Sequence, residues 1–239
     1  MIKTSAYTGY QLNEQAVTLN FGNEISEELL ALITRAGHLL NAKPFPGFRS
    51  IVPAYTTLSV FFDPIALLNS ILPGHDCLTK ISMYLENQLK QPADSSENKG
   101  RDMIIPVLYG SEYGPDLEEL AQRHGLRPEA VTAMHTEVCY TVYMIGFTPG
   151  FAYLGGLDER LFSPRKDTPR SKVPAGSVGI AGMQTGIYPF ATPGGWQIIG
   201  RTPLKMFDPE REQPALLQAG DKVSFKAIDE ETFYRLLST

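Results

Sequence analysis

Four cations, Arg165, Lys166, Arg170 and Lys172, fall within eight positions of a chain whose net charge is −5, with Arg201 further on. Arginine presents a planar fork of donors that matches a carboxylate or a phosphate bidentately. Arg165 and Arg170 are therefore candidates for holding anionic oxygens, with Lys166 read as a solvated rim charge. The competing reading is a plain surface loop, since solvated loop charges are the rule. What favours a ligand is the setting. Residues 146–208, about a quarter of the chain, hold 11 of the 21 glycines, 7 of the 18 prolines and the single tryptophan. Glycine is used where φ must be positive or another group must approach the backbone, and proline fixes φ and removes a donor. Interleaved with Phe147, Phe151, Tyr153, Tyr188 and Trp196, this pattern reads as short strands joined by pre-organised turns around a cleft. An all-β core with many corners reads equally well.

Within the same segment, Gln184, Thr185, Tyr188 and Thr192 offer neutral hydrogen bonds to a ligand, and Gly194–Gly195 offer a turn of exposed backbone. Trp196 either floors the cleft or is plain core. Gly176, Gly179, Gly182 and Gly186 could present N–H groups to an anion, or simply mark strand corners. His135 ends a helical stretch three residues before an apolar run. It reads as an acid or base working near neutral pH, or as a side chain placed on a helix dipole.

Several chemistries are excluded. Neither G-x-x-x-x-G-K-[ST] nor G-x-G-x-x-G occurs, so a P-loop or Rossmann nucleotide site is not expected. Ala175–Gly179 is a near miss to a nucleophile elbow, but all four histidines precede Ser177, whereas an α/β-hydrolase needs its histidine afterwards. Scattered histidines and the distant Cys77 and Cys139 make no metal-ligand spacing. The two thiols fit a reducing compartment, as small core hydrophobes. The acidic balance argues against a nucleic-acid partner, and no apolar run is long enough for a membrane span or a signal peptide. A cytoplasmic protein is expected.

The elements that must position these residues fall into two parts. Residues 1–90 read as an α+β unit. A strand is expected at 16–21, and a helix over 26–42 with Leu29, Ile33, Ala36 and Leu40 on one face. A half-buried alternating strand follows at 55–62, then helical stretches interrupted at Pro73–Gly74. This βαββα order resembles a ferredoxin-like sandwich. Residues 91–101 contain no large apolar side chain and read as a linker. Residues 102–239 form the second domain. It opens with a strand at 103–108, where Pro106 predicts a bulge or an edge. Helices follow at 116–124 and 128–136, then a buried strand at 138–147 leading into an all-β barrel or sandwich.

The run PRKDTPRSKVPAGSVGIAGMQTGIYPFATPGGWQIIGRTPLKMFDP at 164–209, with GFTPGFAYLGG at 146–156 and LLQAGDKVSF at 216–225, resembles the signature of the family of 5-oxoprolinase B subunits. These are also known as KipI-like proteins or allophanate hydrolase subunit 1. The resemblance implies a cyclophilin-like β-barrel for the second domain. It also implies a place beside subunits A and C of an ATP-dependent 5-oxoprolinase, which opens 5-oxo-L-proline to L-glutamate. ATP would enter that complex with Mg as its counter-ion, with no metal held by protein ligands, and the single chain is expected to have little activity alone. The alternative implied by the resemblance is a binding protein that inhibits a sensor histidine kinase.

Overall fold

The computed structural model describes residues 1–91 and 100–238. The expected linker therefore lies, over 92–99, outside the described residues. Two compact units are present, Met1–Lys99 and Gly100–Thr239.

The first unit is a five-stranded antiparallel sheet with helices. Its elements are β1 (Ile2–Lys3), β2 (Thr8–Asn13), β3 (Ala16–Asn20), α1 (Glu27–Ala42), β4 (Phe48–Ala54), β5 (Thr57–Phe62), α2 (Pro64–Leu68) and α3 (Cys77–Leu89), with sheet order β1-β2-β3-β5-β4. The helix starts follow from side-chain caps. Ser26 accepts from the Leu29 N–H, Asp63 from Ile65 and Ala66 ahead of Pro64, and Asp76 from Thr79. The alternation in β5 buries Leu58, Val60 and Phe62 on one face, as expected. Three strands precede α1 where the sequence pattern showed one. β2 buries little beyond Gly9, so its outer residues carry no period-2 apolar signal.

The second unit contains β6 (Asp102–Tyr109), α4 (Leu117–Arg123), α5 (Pro128–Glu137), β7 (Cys139–Ile145), β8 (Ala152–Gly155), β9 (Arg170–Val173), β10 (Ser177–Ala181), β11 (Gln184–Ile187), β12 (Thr192–Gly194), β13 (Gln197–Arg201), β14 (Lys222–Ala227) and α6 (Glu230–Leu237). Seven strands close a barrel in the order β10-β11-β8-β7-β14-β6-β13, while β9 and β12 form a separate two-stranded ribbon. Only β14–β6 is parallel. The β6–β13 ladder covers just Leu108 and Tyr109, so Pro106 sits where β6 is paired on its β14 side alone. That is how a strand inside a closed barrel tolerates a residue without an N–H. Val107, Tyr140, Val142, Ile180, Ile199 and Val223 fill the interior. Cys77 is buried as expected, but Cys139 is exposed, because it opens β7 on the outward-facing side.

His135 belongs to this core. It is fully buried, and both ring nitrogens are engaged, Nδ1 with the Tyr109 hydroxyl at 2.8 Å and Nε2 with Thr185 Oγ1 at 2.9 Å. Thr185 has one hydroxyl hydrogen and donates it to the Gly179 carbonyl at 3.1 Å. It must therefore accept from His135, which carries its proton on Nε2 and accepts at Nδ1 from Tyr109. Burial drives the imidazole pKa down to about 3. The structure thus corrects the acid–base reading of His135, and equally the reading of Thr185 as a ligand donor: both side chains are consumed in tying α5 to β6 and β11.

A folded-state pKa below the ordinary 6.5 makes the unfolded chain bind the proton first. The histidine's contribution to stability is therefore complete above about pH 6.5 and is lost as pH falls toward 3, by up to about 1.4 kcal/mol per pH unit. Urea midpoints should fall between pH 6.5 and 5, before carboxylates titrate, and His135→Leu should flatten that slope. A wild-type midpoint constant across this window would refute the buried neutral imidazole.

Candidate functional site

A cleft of about 280 Å³ opens on the barrel unit, lined by Phe147, Phe151, Tyr153, Arg165, Lys166 and Pro169, and by the run Pro193–Trp196 with Tyr188. Its apolar side is an aromatic cluster centred on Phe151. The Phe151 ring meets Tyr188 at 5.1 Å and 89°, Trp196 at 5.4 Å and 83°, and Tyr153 at 4.7 Å and 57°. Edge-to-face contacts of this kind set ring orientations as well as burying area. Trp196, 5 % exposed, is both core and cleft floor.

Glycine makes this arrangement possible by leaving space. Gly179 and Gly186 face each other across β10 and β11. A Cβ on Gly186 would lie 2.9 Å from the Trp196 ring, and one on Gly179 3.1 Å from Trp196 Cβ. These two glycines seat an indole and do not form an anion nest. Gly194 does the same for Tyr188, whose hydroxyl would stand 2.4 Å from an added Cβ.

The polar side is a loop clamped from several directions. Lys166 N–H donates to the Gly195 carbonyl at 2.7 Å, Gln197 Nε2 to the Pro164 carbonyl at 3.0 Å, and β9 pairs with β12 at Gly194↔Arg170. Beneath it lies Asp116, 2 % exposed. Its Oδ1 accepts from Arg170 Nη2 at 2.6 Å and Lys166 Nζ at 2.8 Å, and its Oδ2 accepts from the Ile198 N–H at 2.6 Å. Burial pushes this carboxyl upward. The hydrogen bonds from Arg170, Lys166 and Ile198, with the Arg170 charge, outweigh that and hold it below the usual carboxylate range.

The candidate residues therefore separate. Arg165, Tyr188, Gly194, Gly195 and Trp196 come together at the cleft. Arg170 is not among the lining residues; its Nη2 is held by Asp116, while its buried Nη1 has no hydrogen-bond partner among the described residues. Lys166 lines it but is no solvated rim charge, for its ammonium bridges Asp116 and Glu119. Gln184 lies at the β10–β11 turn, and Thr192 pairs with Val173 in the ribbon, both away from the lining. Arg165 is exposed and has neither a hydrogen bond nor an ion pair among the described residues. Burial raises the phenols of Tyr153 and Tyr188, and the Arg165 charge acts on both in the opposite sense, so the guanidinium stands beside both rings. Asp116 is the residue organising this loop that sequence reasoning missed. Its partners lie 50, 54 and 82 positions away, and no local spacing announces them.

The family model for the carboxyltransferase domain, subdomain C and D, matches residues 7–217. The chain is 44 % identical over 232 residues to the 5-oxoprolinase B subunit of Bacillus subtilis (strain 168), covering 97 % of each. To the protein of the same name in Escherichia coli O157:H7 it is 52 % identical over 216 residues, covering 90 % of this chain and 94 % of that one. The chain belongs to the family of 5-oxoprolinase B subunits. The solved structure of TTHA0988 is similar at 38 % identity and a TM-score of 0.76 over 90 % of this chain, which spans 40 % of that longer one. Among the described residues, no helix is long and apolar enough to cross a membrane.

For this family member, Asp116→Asn removes a buried charge from two cations and should destabilise the barrel unit. The cost expected is about 3 kcal/mol, the lower end for a broken buried pair, because Arg170 and Lys166 keep side-chain exposures of 30 % and 21 %. Lys166→Ala should also be measurable, at about 1 kcal/mol, rather than silent. Urea titration followed by Trp196 fluorescence checks both. A wild-type midpoint for Asp116→Asn would show that the loop is not held by this carboxylate.

Proposed function

We propose that the chain is the B subunit of an ATP-dependent 5-oxoprolinase and that its cleft holds 5-oxo-L-proline for ring opening to L-glutamate with subunits A and C. The observation that carries this reading is Arg165, a guanidinium left without an ionic partner beside an aromatic floor. A five-membered lactam carries one carboxylate, which suits a single fork, and one compact apolar ring, which suits Phe151, Tyr188 and Trp196. The work of this chain's residues is to bind, orient and exclude water. Proton movement is not assigned to His135.

Phosphorylation of the amide oxygen by ATP would turn it into a leaving group, but the residues here do not fit a nucleotide. Of the cleft's cations one is taken up by Asp116 and Glu119, the glycines of β10 and β11 are filled by Trp196, and the volume is about 280 Å³. ATP with Mg is therefore assigned to the partner subunits. Within the same reading, the first unit is a ferredoxin-like sandwich in which β2 takes the outer position beside β3, supported by the order β2-β3-β5-β4. The closed seven-stranded barrel supports a cyclophilin-like second unit. Two free cysteines fit work in the cytoplasm.

The test is glutamate release from 5-oxo-L-proline by the complex reconstituted with subunits A and C. Losing one charge-assisted contact costs roughly 1.5–3 kcal/mol, so Arg165→Ala should lower kcat/KM about ten- to a hundredfold. Arg165→Lys should recover only part of it, because an ammonium lacks the planar fork. Melting temperatures should change little, since Arg165 makes no hydrogen bond or ion pair among the described residues and stands exposed beside Tyr153 and Tyr188. Wild-type kinetics for Arg165→Ala would overturn the reading.

A further inference from the structure

Three non-glycine residues among those described have positive φ, and of these Phe147, at +66°, is the one that lines the cleft. The cause is local. Thr148 N–H donates to the Gly146 carbonyl at 2.8 Å, closing a three-residue γ-turn centred on Phe147, a strained conformation for an L side chain. The rest of this β7–β8 loop is fixed. Gly146 N–H donates to the Phe151 carbonyl at 3.0 Å and Phe151 N–H to the Thr148 carbonyl at 3.0 Å. Gly150 lies so close to Phe207 that an added Cβ would come within 2.8 Å.

The fold gains little from the Phe147 side chain in return. It is 62 % exposed, and its ring contact is an edge-to-face approach to Phe151 at 5.5 Å and 80°. Glycine would adopt this turn without strain. A large apolar ring kept in a strained turn, mostly in water and on the wall of a binding cleft, is explained by what enters the cleft.

We propose that Phe147 is a specificity-determining residue of the cleft: its ring walls the space next to Phe151 and limits it to a small, compact ring whose carboxylate rests on Arg165. This rests on the reading of the cleft as the 5-oxo-L-proline site and adds to it the element that measures ring size. Larger cyclic amide carboxylates are excluded because Phe147 occupies the volume they need.

The experiment uses the reconstituted complex with Phe147→Gly and Phe147→Leu, and reads two quantities. One is the KM for 5-oxo-L-proline. The other is the inhibition constant of its six-membered homologue, 6-oxopiperidine-2-carboxylate. Phe147→Gly should raise the KM between about threefold and tenfold, the range of one aromatic contact. It should lower the inhibition constant of the larger ring, tightening it, while the melting temperature holds or rises. Phe147→Leu, which keeps bulk, should lie between wild type and glycine. An unchanged ratio of the two constants in Phe147→Gly overturns the proposal, as does a melting temperature that falls while KM rises, which would mark a structural role. Arg165→Ala, run alongside, separates the two readings. If it loses activity while the Phe147→Gly ratio stays at wild type, the role of Phe147 alone fails; if Arg165→Ala is also unaffected, the cleft assignment fails with it.

Discussion

The cleft depends on one buried carboxylate. Asp116 stands at the entrance to α4, yet it receives a guanidinium and an ammonium from the 164–170 loop and a backbone N–H from β13. The Asp116 N–H donates in turn to the Ile198 carbonyl at 2.9 Å, so side chain and main chain fix the same junction. Desolvating a carboxylate is expensive, and it is tolerated only when the partners are close and well aimed. Here they also draw together three segments that share no local sequence relation. The consequence is selective. Of the cations clustered in this loop, Lys166 and the Nη2 of Arg170 hold the loop in place through Asp116, and the residue just before Lys166 is carried on that fixed backbone with no ion pair of its own among the described residues. A charge held in place by neighbours that do the anchoring loses less freedom when a ligand arrives.

The aromatic side is built on the opposite principle, by subtraction. Trp196 and Tyr188 reach their positions because Gly186, Gly179 and Gly194 leave out the Cβ atoms that would collide with them. A dense run of glycine in β-structure is thus a record of large rings packed across the strand faces, not of loose chain. The same run supplies a firm floor, since Phe151 is locked between rings on several sides. Aromatic walls and an arginine fork fixed in this way suit the largely pre-formed site that the proposed function requires.

Local rules made the scaffold legible. The one-sided apolar spacing of Leu29, Ile33, Ala36 and Leu40 gave the helix that forms α1, and the alternation through 55–62 gave β5. The glycine and aromatic pattern read as a cleft or equally as plain corners; Arg165, Tyr188, Trp196 and the Gly194–Gly195 turn do line one cleft. What sequence reading missed lies in pairings between distant residues. Nothing at position 116 predicts two cations some fifty residues on, so the ion pairs of Arg170 and Lys166 with it could not be read. The depth of His135 is set by Tyr109, Tyr140, Thr185 and Phe225, which surround it from four strands. A histidine near a helix end reveals none of that. β2 escaped because a mostly exposed strand has no apolar period to read.

The sealed histidine also bears on how labour would be divided in the proposed complex. Ring opening of a lactam needs protons moved at oxygen and nitrogen, which calls for a group able to change charge near neutral pH. The cleft's own ionisable side chains are unsuited to it. The phenols of Tyr153 and Tyr188 are raised by burial and so stay protonated, Arg165 is a permanent cation, and Lys166 is engaged by two carboxylates. His135 is held neutral with both nitrogens committed. The described residues that line the cleft include no histidine, cysteine, aspartate or glutamate. On the reading proposed above, the groups that move protons are therefore sought on the partner subunits rather than on this chain.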